Sequence, residues 1–333
     1  MKRKWLFAAL LCCLLGWLVV FPAAAQEPRA VIVDTDMTSD DFMALLYLFN
    51  NPDFSVKAIT VTGTGFSFCD AGVEAALGLL ALTAYGDVPV SCWQETPLLG
   101  GDSPVPAEWR TTVETVESWG LPEGGEPSTM NAVELFTATV NEAATPIEVL
   151  ALGPLTNLAA AFNETPALVE KISHITIMGG AVDAPGSSVS EENTTAEWNI
   201  YCDPPAARIV FESGAPITLV ALDATNDVPV TMDFLERLNA VKSTPESEFV
   251  SMLLTNNSGS IEAGGYSFWD QLATVVMADP DLVTHTEREV TVIDREGAEY
   301  GRTKPVGNGP TIDVVTKPDV ATFEQHLIDT WNR

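Results

Sequence analysis

Four carboxylates fall within the short segment VIVDTDMTSDD, at Asp34, Asp36, Asp40 and Asp41. Asp34 and Asp36 are two apart at the end of an apolar run, so on an extended strand their side chains share a face. Asp40 and Asp41 stand where the next helix should begin. Carboxylates that converge in one crevice repel one another unless they are protonated or bridged by a cation. An all-oxygen set suits a hard cation, Ca2+ or Mg2+. One acid alone, Asp40 for instance, could simply cap a helix and face water. Four acids after one buried strand exceed what capping needs.

Two chemistries use such a segment. Asp34-x-Asp36-x-Thr38 matches the DxDxT loop of haloacid-dehalogenase-like phosphatases, whose first Asp is a nucleophile. The alternative is hydrolysis of an N-glycosidic bond, with a metal holding ribose hydroxyls and an Asp activating water. The segment alone does not choose between them.

The elements that must carry these acids are legible as an alternation. Arg29 to Asp34 reads as a strand and Asp41 to Asn50 as a helix; Val56 to Val61 is the next strand, and Ala71 to Tyr85 the next helix. Ile147 to Leu152, His174 to Met178 and Ile217 to Leu222 read as further buried strands. Pro204 to Ser213 reads as a helix with Asp203 as its N-cap and Pro in its first turn. Continuous apolar strands alternating with helices predict an α/β fold: an open, mostly parallel sheet with helices on both faces. Ligands of such sheets bind at the carboxyl ends of the strands. Three stretches read as loops: 119–129, 182–195 and 255–267, the last a candidate lid. No linker divides the chain, so residues 26–333 read as one domain.

The other strand ends carry the decisive motifs. ALGPLTNLA runs from Ala151 to Ala159, ITIMGGAV from Ile175 to Val182, and AEWNIYCDPPAARIVFESG from Ala196 to Gly214. ITLVALDATN follows from Ile217 to Asn226, and Phe268-Trp269-Asp270 precedes an apolar helix. In this order the motifs resemble the inosine-uridine-preferring nucleoside hydrolase family, from about Ala30 to the C-terminus. The phosphatase reading would need a well-placed Lys and a later acidic pair. Lysines are few here, and the acidic pair comes too soon after Asp36.

The resemblance implies a Rossmann-like open α/β fold, one Ca2+ at the floor of the pocket, and hydrolysis of ribonucleosides to base and ribose. It implies Asp36, Asp41, the Leu152 carbonyl and Asp270 as metal ligands, and Asp36 as the general base for water. It assigns Asp40, Glu197 and Asn199 to the ribose hydroxyls and packs Met178 near the sugar. Asp34 becomes a supporting residue. Trp198 and Trp269 become candidates for stacking on the base, or else pocket-wall aromatics. Nicotinamide riboside is an alternative substrate, and a weakly catalytic ribosyl-binding protein an alternative role. Family members commonly form dimers or tetramers, which allows a homo-oligomer here.

The chain departs from the family in three places. Trp269 stands where members with broad base specificity carry a His, the candidate acid for the leaving base. Thr62-Gly63-Thr64-Gly65 lacks the usual Asn, with Thr64 as the stand-in for its ribose contact. The loop 182–195 has Gly186-Ser187 where the family has Gly-Asn, with Asn193 as a substitute. Cys69 and Cys92 could pair or stay as thiols; Asp223 and Asn226 could reach the pocket rim or cap the next turn.

Composition excludes some partners. With 46 acidic and 16 basic side chains in 333 residues, the formal net charge is −30. Nucleic acid needs a basic footprint, so it is excluded as an electrostatic partner. The N-terminus has Lys2-Arg3-Lys4, an apolar run from Trp5 to Val20 and the ending Ala23-Ala24-Ala25, the pattern of a cleaved export signal. Removing residues 1–25 leaves 308 residues and a charge of −33. That leader predicts an extracytoplasmic protein, periplasmic or secreted, with no stable membrane association after cleavage.

Overall fold

Along β1 (Arg29–Thr35), Val31 and Val33 pack into one apolar cluster while Ile32 packs into another. Successive side chains of a strand point to opposite faces, so two clusters mean two covered faces. β4 (Ile147–Ala151) repeats the pattern, with Leu150 in the first cluster and Val149 and Ala151 in the second. The computed structural model describes residues 27–111 and 120–333. The export-signal segment 1–25 and Trp119, which opens one expected loop, lie outside them.

The remaining strands are β2 (Phe54–Val61), β3 (Val90–Cys92), β5 (Ile172–Met178), β6 (Ile217–Val220), β7 (Thr284–Val292), β8 (Thr303–Pro305) and β9 (Thr311–Thr316). They form one nine-stranded sheet in the order β3-β2-β1-β4-β5-β6-β9-β7-β8. All pairings from β3 through to β9 are parallel; β7 joins β9 and β8 joins β7 antiparallel. The open, mostly parallel sheet is therefore as expected.

Strand order reverses beside β1. β1, β2 and β3 step one way, and β4, β5 and β6 step the other. Loops leaving β1 and β4 part at this point and open a crevice at their carboxyl ends, where ligands of such sheets bind. Asp34 pairs in register with Thr60 of β2 and Ala151 of β4. The acidic turn therefore leaves the sheet at the crevice.

Several expected elements shift by a residue or two. The first helix starts at Ser39, and the second spans Cys69–Thr83. β6 stops at Val220, because Leu222 already opens a short helix, Leu222–Thr225. The Asp203 cap is observed: its side chain accepts from Ala206 N at the start of helix Pro204–Phe211. The candidate lid needs correction. Residues 245–256 and 258–262 are helical, Tyr266 is buried, and Ser267 forms a bridge with Pro229, so the segment is pinned. Cys69 and Cys92 form a disulfide that ties the second helix to edge strand β3. Among the described residues no helix is long and apolar enough to cross a membrane.

Candidate active site

The turn after β1 is shaped by its own residues. Met37 takes a left-handed conformation, φ 54°, and buries its side chain completely. Few non-glycine residues adopt that conformation, and here a buried side chain holds it. The reversal sends Asp36 to one side and starts helix Ser39–Asn50 on the other. Asp41, three residues into that helix, reaches back to accept the Thr38 N–H at 2.9 Å, as in a capping box. It also accepts the Thr35 and Thr38 hydroxyls, while the Thr38 hydroxyl contacts Asp40 as well.

Two glycines make room for Asp36. A Cβ at Gly65 would fall 2.5 Å from the Asp36 Cβ, and one at Gly153 would fall 2.9 Å from the Asp36 backbone nitrogen. Both glycines lie in motifs, Thr62-Gly63-Thr64-Gly65 and Gly153-Pro154, and the close approach explains them. Asp36 Oδ2 accepts the Phe66 N–H at 2.9 Å. Buried Arg110 secures the same turn: it donates to the carbonyls of Gly63 and Ser67 and lies over the Phe68 ring.

Oxygens of Asp40, Asp41 and Asp270 converge within 4.8 Å of one another. Asp270 comes from the first turn of helix Trp269–Ala278, 229 positions after Asp41 in the chain. Burial pushes the Asp270 carboxyl well above its ordinary range, and the negative charges of Asp41, Asp40 and Asp36 push it further. Burial and then Asp41 do the same to Asp36. Asp40 is pushed up to about 7, by burial first and by Asp41 second. Such repulsion is relieved by protons or by a cation. The donor set is all oxygen and suits a hard divalent cation. Asp36 lies beside this trio and lines the same cavity, but it is not one of the three converging groups.

Asp34 sits one layer below, fully buried. Its Oδ1 accepts from Thr60 Oγ1 at 2.6 Å and Asn157 Nδ2 at 2.8 Å. Asn157, from the GPLTN motif, also donates to the Val61 carbonyl. The motif thus ties β1, β2 and the turn after β4 together through the buried Asp34 carboxylate.

The AEWN motif works mainly on the backbone. Glu197 caps helix Trp198–Cys202, and its carboxylate accepts the N–H groups of Gly180, Asn199 and Ile200. Asn199 donates to the Leu152 carbonyl at 2.8 Å and the Met178 carbonyl at 3.2 Å. A carbonyl oxygen has two lone pairs, so Leu152 retains one for a further partner. Glu197, Asn199, Leu152 and Met178 all line the cavity.

That cavity is about 710 Å³. Its floor is formed by Asp36, Asp40, Asp41 and Asp270, at the switch point of the sheet. Trp198 and Trp269 line it, joined by two rings with no motif of their own, Phe66 and Trp109. Phe66 and Trp109 stack with centroids 6.0 Å apart, and Trp198 meets Trp109 edge-on at 5.4 Å. Trp269 leans against Tyr266 at 5.3 Å. Asn226 and Ser187 also reach the cavity, whereas Asp223 instead ties down the start of loop 182–195 by accepting the N–H groups of Val182, Asp183 and Ala184.

Two expected ribose contacts are corrected. Thr64 is fully buried, does not line the cavity, and donates its hydroxyl to the Thr96 carbonyl. Asn193 is spent on Tyr300 and on its own loop. No histidine replaces the one missing before Asp270: His174 pairs with Thr218, His285 with Asp313 and Pro280, and His326 with Asp279.

A carboxylate floor at the switch point of a parallel sheet, fit for a hard cation and walled by aromatic rings, defines an α/β enzyme of the metal-assisted hydrolase type. A sequence profile described as inosine-uridine preferring nucleoside hydrolase matches residues 31–325, and the chain belongs to that family. A pyrimidine-specific ribonucleoside hydrolase RihA from Escherichia coli is 30% identical over 310 residues, covering 90% of this chain and 97% of the relative. Among solved structures, a plant nucleoside hydrolase, PpNRh1, superposes with a TM-score of 0.81 at 29% identity, covering 92% of this chain and 99% of its own. A purine-preferring ribonucleoside hydrolase from Gardnerella vaginalis gives 0.80 at 25% identity, covering 91% and 98%. The chain is accordingly a nucleoside hydrolase-type enzyme.

Proposed function

We propose that this chain is a Ca2+-dependent hydrolase of ribonucleosides that releases free base and ribose outside the cytoplasm. The observation that carries the reading is the convergence of Asp40, Asp41 and Asp270 beside Asp36 at the switch point, in a chain matched by the family over residues 31–325. Asp36, Asp41, Asp270 and the Leu152 carbonyl would hold the cation. When bound, it would offset the carboxylate charge, hold the ribose diol and acidify water.

The chain's own residues do the rest. Asp36, oriented by the Phe66 N–H, takes the proton of the attacking water. Asp40 accepts from a ribose hydroxyl. The sugar develops positive charge as the bond to the base lengthens, and the fixed carboxylates below it stabilise that charge. Glu197, Asn199 and Met178, which line the cavity, would stand beside the sugar. Cleavage after Ala25 would leave residues 26–333 as one catalytic domain. The Cys69–Cys92 disulfide supports an oxidising compartment, where such bonds persist.

A reducing-sugar assay on inosine, guanosine, adenosine, uridine and cytidine, with Ca2+ and with chelator, tests the reading. Ribose release that needs Ca2+ is the expected result. No release from any of the five would sink the neutral-nucleoside version. The missing histidine favours a second reading, a ribosyl-binding protein with weak turnover, which ligand retention without release would identify.

A further inference from the structure

Among the described residues, Arg110 is the one Lys or Arg that is buried. Taking a guanidinium out of water is costly, and an apolar side chain of similar volume often serves stability as well or better. A cation kept in such a place calls for a use that apolar packing does not supply.

Its partners supply that use. Arg110 Nη2 donates to the Gly63 carbonyl and to the Ser67 carbonyl, the latter at 3.1 Å. The guanidinium lies over the Phe68 ring, with Cζ 3.9 Å from the centroid. One nitrogen thus holds both ends of turn 63–67. Between those ends, Gly65 presses against Asp36, and the Phe66 N–H donates to Asp36 Oδ2 at 2.9 Å. Gly63 and Ser67 are buried, so removal of the guanidinium would strand two carbonyls away from water. The turn would have to shift to satisfy them, and the Phe66 N–H would move with it.

The neighbouring contacts do not duplicate this clamp. Ser103 Oγ donates to the Thr64 carbonyl at 2.7 Å, and the Thr64 hydroxyl donates to the Thr96 carbonyl. Both act at Thr64, on the near side of Gly65. The Glu95 carboxylate and the disulfide act at Cys69, beyond the turn. Arg110 joins the two sides across the Phe66 N–H. The helix that bears it, Ala107–Arg110, also sends Trp109 to stack on Phe66, so consecutive residues grip the turn at its carbonyls and at its ring.

We propose that Arg110 is a positioning residue for the hydrolysis: by clamping turn 63–67 it fixes the Phe66 N–H on Asp36 Oδ2, and so orients the carboxylate that takes the proton of water. The inference rests on the N-ribosyl hydrolase reading above and deepens it. Arg110 does not line the cavity, so its effect on turnover passes through Asp36. A misplacement of about 1 Å at a catalytic group can cost about 10²-fold in rate.

The test is a double-mutant cycle in Ca2+, with the native chain, Arg110→Met, Asp36→Asn and the pair together. The substrate is whichever of inosine, guanosine, adenosine, uridine and cytidine the native chain hydrolyses fastest, and circular dichroism checks that each variant is folded. Arg110→Met should lower kcat about 10- to 100-fold and leave KM within about threefold. In the Asp36→Asn background the same change should lower the residual kcat by less than about threefold, because the carboxylate that it orients is gone. If the Asp36→Asn rate is too low to read, the split between kcat and KM decides. If Arg110→Met fails to fold, Arg110→Lys takes its place with the same pattern expected, because an ammonium is a compact point charge that lacks the plane lying on Phe68. An equal fold-loss in both backgrounds, a change in KM alone, or a lowered Tm with native kcat would make Arg110 a prop of the fold. Each would overturn this inference and leave the hydrolase reading standing. A native chain that hydrolyses none of the five would overturn both.

Discussion

At the carboxylate floor, the proposed sugar end of the cavity, Asp36, Asp41 and Asp270 are each no more than 2% exposed and fixed by the turn, the helix starts and two tight glycines. At the aromatic wall, the proposed base end, Trp109 is 45% exposed, and Trp198 and Trp269 are only half-buried. One end is built from the carboxyl ends of strands β1 and β4, while the other hangs on loops and short helices. The contrast assigns chemistry to the core and selection to the rim. A reaction that needs charge in fixed places sits on rigid elements, and recognition sits where sequence can vary without loss of the fold.

The comparison is best broken by exchanging one atom at the sugar end. Asp36→Asn keeps shape and removes the base, so kcat should fall by about 10³ or more while the protein stays folded. Circular dichroism and ribose release check this together. Near-native turnover in that variant would place the base elsewhere.

A second change lies behind the wall. Converting both Cys69 and Cys92 to Ser removes a link closing 23 residues of separation, which should cost about 3 kcal/mol in urea unfolding. The loss belongs to stability, since neither sulfur lines the sugar end.

Third, Trp198→Leu should raise KM several-fold, as expected for about 1 kcal/mol per aromatic contact, and leave kcat within a factor of about two. A collapse of kcat instead would mean that the wall takes part in the chemistry.

The smallest effect lies far from either end. Burial pulls the His285 imidazole down, but the Asp313 carboxylate at 2.5 Å and the Pro280 carbonyl outweigh it, and the net shift is upward. A raised pKa stabilises the fold below the unfolded value of about 6.5, and the gain is lost as pH rises through the folded value. Removing the pair with His285→Gln should therefore lower Tm at pH 6 but not at pH 9. The pair is a third exposed, so the loss should stay under about 1 kcal/mol.

Much of the sugar end was legible because its signals are local. Acids two and seven apart after an apolar strand, and glycine beside proline after another, announce a turn wherever they occur. The expected strands are found within a residue or two. The rim was less legible. Phe66 and Trp109 carry no spacing signal, since only the tertiary fold brings a loop after β2 and a four-residue helix against Trp198. Thr64 was misplaced because its neighbours turn the backbone inward, Gly65 against Asp36 and Gly63 against Cys69, which directs the hydroxyl to Thr96. The closing strands escaped for a different reason. β7 reads Thr-His-Thr-Glu-Arg-Glu and is largely exposed over that stretch, so its apolar pattern is too weak to separate from a loop.

The central claim is that buried acids at the switch point need a divalent cation to hydrolyse an N-ribosyl bond. It is tested most directly by following ribose release from a hydrolysed nucleoside while Ca2+ is titrated into chelator-treated protein, native and Asp270→Asn. Activity should be absent at first, rise with one-site saturation in the native protein, and need at least about tenfold more Ca2+ in the variant. Full activity in the presence of chelator would contradict the account.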